Sequence, residues 1–364
     1  MKALIIGGGI AGLAAAITLR KVGWDVVVKE RAEQFTEVGL GFIILPNGLE
    51  ALDQVGAGEY VRTNGKIINE AIIRTPDGTI IKDDKLDSCL GVKRSSVIDS
   101  LKSLLPSEII HTASEFSHFE YDETGNAIAA YFKNDERVEA DIFIAADGAN
   151  SMIRKQLFPS HLVGQTKIKE LVGIADLPDM VKQLNGKLLK TQCTDKGLSI
   201  GLLPCNDQQI IWYMQFDCMK NDIVELSNEN KKKFAMEMLN GWPDPIQYVL
   251  ENTDYSKSFM WFTKDMPVLP SFHKNNIVLI GDAAHLVLPF TSQGVNSALQ
   301  DAIILGRLLK DGKHIESFDD VFTTYHQCRK EILEEYHLFG KMMANRFLDP
   351  LNYKNEEVPI PLAK

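Results

Sequence analysis

Hydrophobic and polar positions change period several times along the chain, and each change marks an expected element. A continuous apolar run at residues 3–6 predicts a buried strand, the small residues that follow predict a closely packed helix, and residues 25–28 predict a second strand. Residues 38–46 are apolar and extended, residues 47–55 carry helical spacing, and residues 66–82 read as a hairpin turning at Asp77 and Gly78. Ser95 or Ser96 is placed to cap a helix running through Val97, Leu101, Leu104 and Leu105. A second hairpin around residues 123–126 leads into an apolar strand at 140–146, which stops at Asp147 and Gly148. From about residue 163 to 266 the texture becomes long strands, at 166–175, 187–194, 198–203 and 209–216, and then an amphipathic helix at 227–239. Such a run predicts a mostly antiparallel sheet inserted into another fold, with one face toward a ligand cavity. Parallel-sheet texture returns at 277–280, followed by helices at about 293–309 and 318–347. In the last helix Phe322, Tyr325, Ile332, Tyr336, Phe339 and Met343 recur at intervals of 3, 4 or 7, a stripe that faces a core.

Glycines sharpen the first of these elements. Between the two opening strands lie Gly7, Gly8, Gly9, Ala11 and Gly12, and Glu30 follows 18 residues after Gly12. In this order Gly7 allows a tight turn, Gly9 lets backbone approach a pyrophosphate, and Gly12 lets the helix pack against the strand. Glu30 falls near the offset at which an acid accepts hydrogen bonds from an adenosine ribose. The uncharged stretch 3–19 after Lys2 resembles a leader or anchor, but four glycines between positions 7 and 12 oppose continuous helix, so the chain is expected to begin with its fold.

With 364 residues, 45% hydrophobic and 24% charged, the chain has room for two domains sharing a large core. A net charge of −10 disfavours nucleic acid or an anionic membrane surface as the main partner and favours a small molecule. Cys89, Cys193, Cys205, Cys218 and Cys328 form an odd, scattered set without close pairing, and the eight histidines show no metal-ligand spacing. Reduced thiols in a cytoplasmic protein without a bound metal are expected, with no stable membrane insertion, as monomer or homodimer.

A second motif lies far along the chain. The apolar strand at 277–280 ends in Gly281 and Asp282, and an acid at the carboxyl end of a sheet strand points into the crevice where such folds bind ligands. Beyond it Pro289, Gln293, Gly294, Val295 and Asn296 form a turn into a helix whose positive dipole end suits negative charge.

Together these residues resemble a known family, the class A FAD-dependent aromatic monooxygenases, which includes p-hydroxybenzoate and urate hydroxylases and the tetracycline-degrading enzymes. The resemblance rests on Gly7, Gly9 and Gly12 with Glu30 and Arg31; on Asp147 and Gly148 followed by Ser151 and Arg154; and on Gly281, Asp282 and His285 with Pro289, Gln293 and Gly294. Val38 to Gly41, Leu45 to Asn47 and the helix start at Arg94 also match. It implies an α/β fold: an FAD-binding Rossmann-like domain of the glutathione-reductase type, an inserted, mostly antiparallel substrate sheet, and C-terminal helices. The expected partition is 1–162 and 271–364 for FAD and 163–270 for substrate. The resemblance further implies that Glu30 binds the adenosine ribose, Arg31 lies near adenine, and Arg94 approaches the phosphates or ribityl chain. Asp282 would hold ribityl hydroxyls, the loop from Pro289 to Asn296 would contact the isoalloxazine, and Gly41 would lie on the cofactor side. Asp147 and Gly148 would serve both FAD and visiting NADPH or NADH. The implied reaction is NAD(P)H reduction of FAD, addition of O2 to give a C4a-hydroperoxide, and oxygen transfer to an electron-rich carbon of a small aromatic or polycyclic substrate. Ser292 stands where the family usually has glycine.

Pocket candidates follow from adjacency to that loop, namely Phe290, Thr291 and Ser292, and from the strand carrying Trp212, Tyr213, Met214 and Phe216, of which only one parity can face a ligand. Sequence alone chooses neither parity, and Met214 and Phe216 are carried as pocket candidates. His285 reads as structural, bonding local backbone, and Asp301 and the lysines at 231–233 as solvated or helix-end charge. Strands 188–216 contain no arginine and only Lys190 and Lys196, which favours a neutral or zwitterionic ring over a simple benzoate. Two other activities remain open on the same residues: a flavin-dependent halogenase or reductase of the same fold, and a flavin-free binding protein of the escort type.

Overall fold

The computed structural model describes every residue except 36–39, 222, 224–226 and 363–364, so Val38 and Gly39 of the expected motif lie outside the described residues. Two large sheets organise the chain. The first has six strands in the order His273–Lys274, Ile277–Leu279, Ile142–Ala145, Lys2–Ile6, Asp25–Lys29 and Ile110–His111, all parallel except the first. Its central strands are apolar on both faces because both are covered. On one face lie the helices Ile10–Lys21 and Gly294–Leu308, where Thr18 Oγ1 donates to the Ala302 carbonyl at 3.0 Å, so small residues let the two axes approach closely. On the other face packs a three-stranded sheet (Phe116–Tyr121, Ala127–Phe132, Arg137–Glu139), with Phe119 edge-on to Phe143.

The second sheet has eight strands in the order Phe259–Asp265, Gly164–Asp176, Gln209–Asp217, Leu198–Pro204, Lys187–Gln192, Lys66–Arg74, Ile80–Lys93 and Gly41–Ile44. It is antiparallel except where Lys187–Gln192 runs parallel to Lys66–Arg74. Three of its strands precede residue 94, so the stretch 163–270 supplies only part of the sheet expected there. The reason is the length of the second hairpin strand, which continues past residue 82 to Lys93 and pairs with both Lys66–Arg74 and Gly41–Ile44.

Helices Asn228–Met238 and Ile246–Glu251 cover the outer face of this sheet and bury Ile200, Leu202, Trp212, Met214 and Phe216 beneath them. The helix after Lys93 begins at Arg94, and neither Ser95 nor Ser96 caps it. The long helix Phe318–Leu348 is capped by Ser317 and buries Phe322, Tyr325, Tyr336 and Met343, with Ile332 and Phe339 partly covered. No helix among the described residues is long and apolar enough to cross a membrane.

Candidate active site

Both glycine-ended strands deliver their turns to one cavity of about 850 Å³ between the two sheets. Gly7 adopts φ +115°, and a side chain there would collide with the Ala146 carbonyl, so only glycine permits the turn. A Cβ at Gly12 would strike the Gly7 carbonyl, whereas Gly9 faces open space. Gly7, Gly9 and Ala11 line the cavity, and Gly12 packs beneath them. Glu30 sits at its rim, accepting from the amides of Gly8 at 2.7 Å and Ala32 at 2.8 Å, with exposed Arg31 beside it.

Arg94 and Asp282 line the middle of the same cavity. Burial draws the Arg94 guanidinium down from its usual basicity, while the charges of Asp282 and Glu30 pull it back up. It forms no ion pair within 4 Å among the described residues, so a cation points into the groove without a partner. The Asp282 side chain is exposed, but to the cavity and not to the outer surface, and the protein packed around it raises its carboxyl above the ordinary range against the pull of His285, Arg94 and Arg154. Asp147 and Gly148 line the cavity as well. Asp147 Oδ2 accepts from the Met152 amide at 2.8 Å and the Ile153 amide at 3.3 Å, and burial pushes its carboxyl up.

Two motif residues act on the frame. Arg154 is 1% exposed and donates to the carbonyls of Ala149, Asp282 and Ala283, which fastens the Asp147 turn to the Asp282 turn. His285 donates from Nε2 to Asp301 at 2.7 Å; it bonds a carboxylate and not the local backbone expected for it. Asp301, read from sequence as solvated, is fully buried and also accepts from the Gly281 amide and Arg329 Nε, both at 2.7 Å. Sequence reasoning missed this junction, because Asp301 and Arg329 lie on two helices whose spacing gives no sign that they meet. Lys231, of the lysine run, is likewise buried and donates to the carbonyls of Tyr255 and Ser258.

The loop before the helix Gly294–Leu308 closes one wall of the cavity with Pro289, Phe290, Ser292, Gly294 and Val295. Gly294 and Val295 bring the first turn of that helix to the cavity, and no acid in the turn offsets its positive end. Two residues expected on this surface are elsewhere. Thr291 is fully buried and donates to the Leu288 carbonyl, and Asn296 is fully buried, accepting from the Leu45 amide and donating to the Ser292 carbonyl. Both fix the loop from behind. Ser292 takes a left-handed φ of +53° and donates to the Pro361 carbonyl at 3.1 Å.

The parity of strand Gln209–Asp217 removes both pocket candidates taken from it. Ile211, Tyr213 and Gln215 face the cavity, whereas Met214 and Phe216 point into the core under the outer helices. Those helices bury the more continuously apolar side, and alternation then turns the tyrosine and glutamine inward. The mostly buried Gly41 lines the cavity nearby.

A glycine cradle open at Gly9, a ribose-height carboxylate, an unpaired arginine and a second carboxylate at mid-groove fit FAD laid end to end. A family model described as FAD binding domain matches residues 1–337, and the chain belongs to this family, that of the FAD-dependent aromatic monooxygenases. Monooxygenase 1 of Arabidopsis thaliana is 29% identical over 320 residues, 84% of this chain and 78% of that one. The 3-hydroxybenzoate 6-hydroxylase of Klebsiella oxytoca is 25% identical over 87% of this chain and 82% of its own. The solved structure of Klebsiella pneumoniae HpxO complexed with FAD and uric acid has the same fold, with a TM-score of 0.86 and 19% identity over 96% of this chain and 89% of that one. The protein is an FAD-dependent monooxygenase.

Proposed function

We propose that the chain uses NADPH or NADH and O2 to hydroxylate a small aromatic or heteroaromatic molecule, one oxygen atom entering the ring and the other leaving as water. The observation that carries this reading is continuity: a single cavity is lined at one end by Gly9 and Glu30, in the middle by Arg94 and Asp282, and at the other end by Val172, Leu188, Tyr213 and Phe290. When bound, FAD supplies the redox chemistry, taking electrons from the nicotinamide and passing them to O2.

The chain's own residues do the rest. Asp282 and Arg94 hold the middle of the cofactor, and the amides at Gly294 and Val295 favour negative charge beside the loop. Val172, Leu188, Leu203 and Ile211 form an apolar wall that excludes water and places a flat ring against Phe290 and Pro289. Asp147 and Gly148 line the same cavity and are the residues proposed to serve a visiting nicotinamide nucleotide.

Anaerobic mixing with NADPH and with NADH, with and without candidate aromatics, tests the reading. A compound that speeds flavin bleaching and is recovered oxygenated after air is admitted supports it. Failure of both nucleotides to bleach the flavin, or a product that requires halide, contradicts it.

A further inference from the structure

Above the loop carrying Phe290, the cavity face of the eight-stranded sheet is not uniformly apolar. Register sorts it into rungs. One rung crosses Trp261, Glu170, Gln215 and Ser199, and the next crosses Phe259, Val172, Tyr213, Gly201 and Lys190. Beyond them the wall is Ile211, Leu203 and Leu188. Glu170 and Lys190 are 6% and 4% exposed, and both line the cavity.

They are not paired with each other. Gln215 stands between them, donating from Nε2 to Glu170 at 3.0 Å and accepting from Lys190 at 3.5 Å, while Ser199 holds the same amide oxygen at 3.3 Å. The Lys190 ammonium also lies over the Phe290 ring, 5.6 Å from its centroid. A buried acid and a buried base kept apart by an amide each retain capacity toward whatever occupies the cavity. Burying two charges without direct contact is costly unless a further partner satisfies them. The apolar wall and the Tyr213 and Phe290 rings dictate a flat partner.

We propose that Glu170 and Lys190 form the polar end of the substrate compartment and select a planar aromatic or heteroaromatic ring bearing an acidic O–H or ring N–H. Glu170 takes that proton, the electron pair stays on the substrate oxygen or nitrogen, and the Lys190 ammonium holds the resulting anion. The freed pair raises electron density in the ring, which is what an electrophilic oxygen atom requires. Burial raises Glu170 to about 7 and lowers Lys190 to about 8, so carboxylate and ammonium coexist near neutrality. This assignment rests on the hydroxylase reading above.

The test uses binding, read as perturbation of the flavin spectrum of the oxidised holoenzyme, with two matched probe pairs: 4-nitrophenol against 4-nitroanisole, and 2-hydroxypyridine against 2-methoxypyridine. Wild type is expected to bind the O–H or N–H member at least about tenfold more tightly than its methylated twin. Bound 4-nitrophenol is expected to show its anion colour at a pH where the free compound is mostly neutral. Glu170→Gln, with flavin content unchanged, is expected to abolish that colour and the discrimination. Lys190→Met is expected to weaken the anion by about tenfold while leaving the methyl ethers unaffected. Equal affinities within the pairs, binding of no probe, or discrimination surviving in Glu170→Gln would overturn the assignment. Loss of nicotinamide-dependent bleaching in wild type would overturn the hydroxylase reading instead, and the two failures are read by separate signals.

Discussion

Replacing Asp301 by asparagine isolates the buried junction that fixes the Asp282 turn. Three donors converge on this carboxylate: the Gly281 amide and His285 Nε2 on one oxygen, Arg329 Nε on the other, each at 2.7 Å. An amide has one acceptor oxygen, so one end of an asparagine would confront a donor, and Arg329, itself 3% exposed, would keep its charge without a counter-charge. Although burial opposes ionisation, His285, Arg329 and the Gly281 amide hold Asp301 down to about 2 from 3.8. Converted by linkage, that depression is worth about 2.5 kcal/mol at neutral pH. An acid with a lowered native value contributes fully above its unfolded value, and the contribution is lost as pH falls toward about 2. Orphaning the buried arginine adds to the loss, so Asp301→Asn is expected to cost about 3 to 5 kcal/mol. Urea unfolding at neutral pH with an unchanged slope measures it, and flavin release on the same samples reports the Asp282 turn. The double variant Asp301→Asn, Arg329→Met is expected to regain more than half of the loss, because no cation is then stranded. A single variant destabilised by less than about 1 kcal/mol, or a double variant no better than the single, would refute the argument.

Further consequences can be measured independently. Gly7→Val combines a forbidden φ with collision against the Ala146 carbonyl, and is expected to cost about 2 kcal/mol or more and to yield protein without flavin colour. Glu170, facing Lys190, Tyr213, Gln215 and Trp261, has its carboxyl raised by burial from 4.5 to about 7. The native state therefore holds that proton more tightly than the unfolded chain, and the stability this provides is lost as pH rises from about 4.5 to about 7. The stability of wild type relative to Glu170→Gln is expected to fall by about 3 kcal/mol over that window in pH-dependent melts; a flat difference would contradict it. Ser292→Gly relieves left-handed strain of about 1 kcal/mol and removes the bond to Pro361, worth about the same. Global stability should stay level while amide exchange near Pro361 accelerates, and unchanged exchange there would dismiss the anchoring role.

The chain discloses its cofactor groove far more openly than its substrate compartment. Gly7, Gly9, Gly12 and Glu30 are consecutive parts of one local unit, so spacing alone conveys their geometry, and Asp282 follows its strand directly. The strand at Gln209–Asp217 is legible as a strand but not as a face. Both parities carry large side chains, and only the packing of Asn228–Met238 and Ile246–Glu251 decides that Met214 and Phe216 turn away while Tyr213 and Gln215 turn inward. The same limit hides the extent of the second sheet, where Gly41–Ile44 pairs with the far end of the strand Ile80–Lys93 and Lys66–Arg74 pairs with Lys187–Gln192, more than a hundred residues on. Asp301 and Arg329 carry no local signature, since a buried ion pair between helices depends on tertiary contact. Glu170 was hidden for a related reason: in sequence it is one charge on a long strand, and only the register sets it beside Gln215 and near Lys190.

Equilibrium titration of flavin-stripped protein with FAD tests the central claim most directly, comparing wild type with Glu30→Ala, Asp282→Ala and the double variant. If one FAD lies from the N-terminal glycine turn to the turn at Asp282, wild type binds a single equivalent, each variant binds about tenfold or more weakly, and the two losses approach additivity. Wild type that takes up no FAD, or an Asp282 variant with wild-type affinity, would contradict the account.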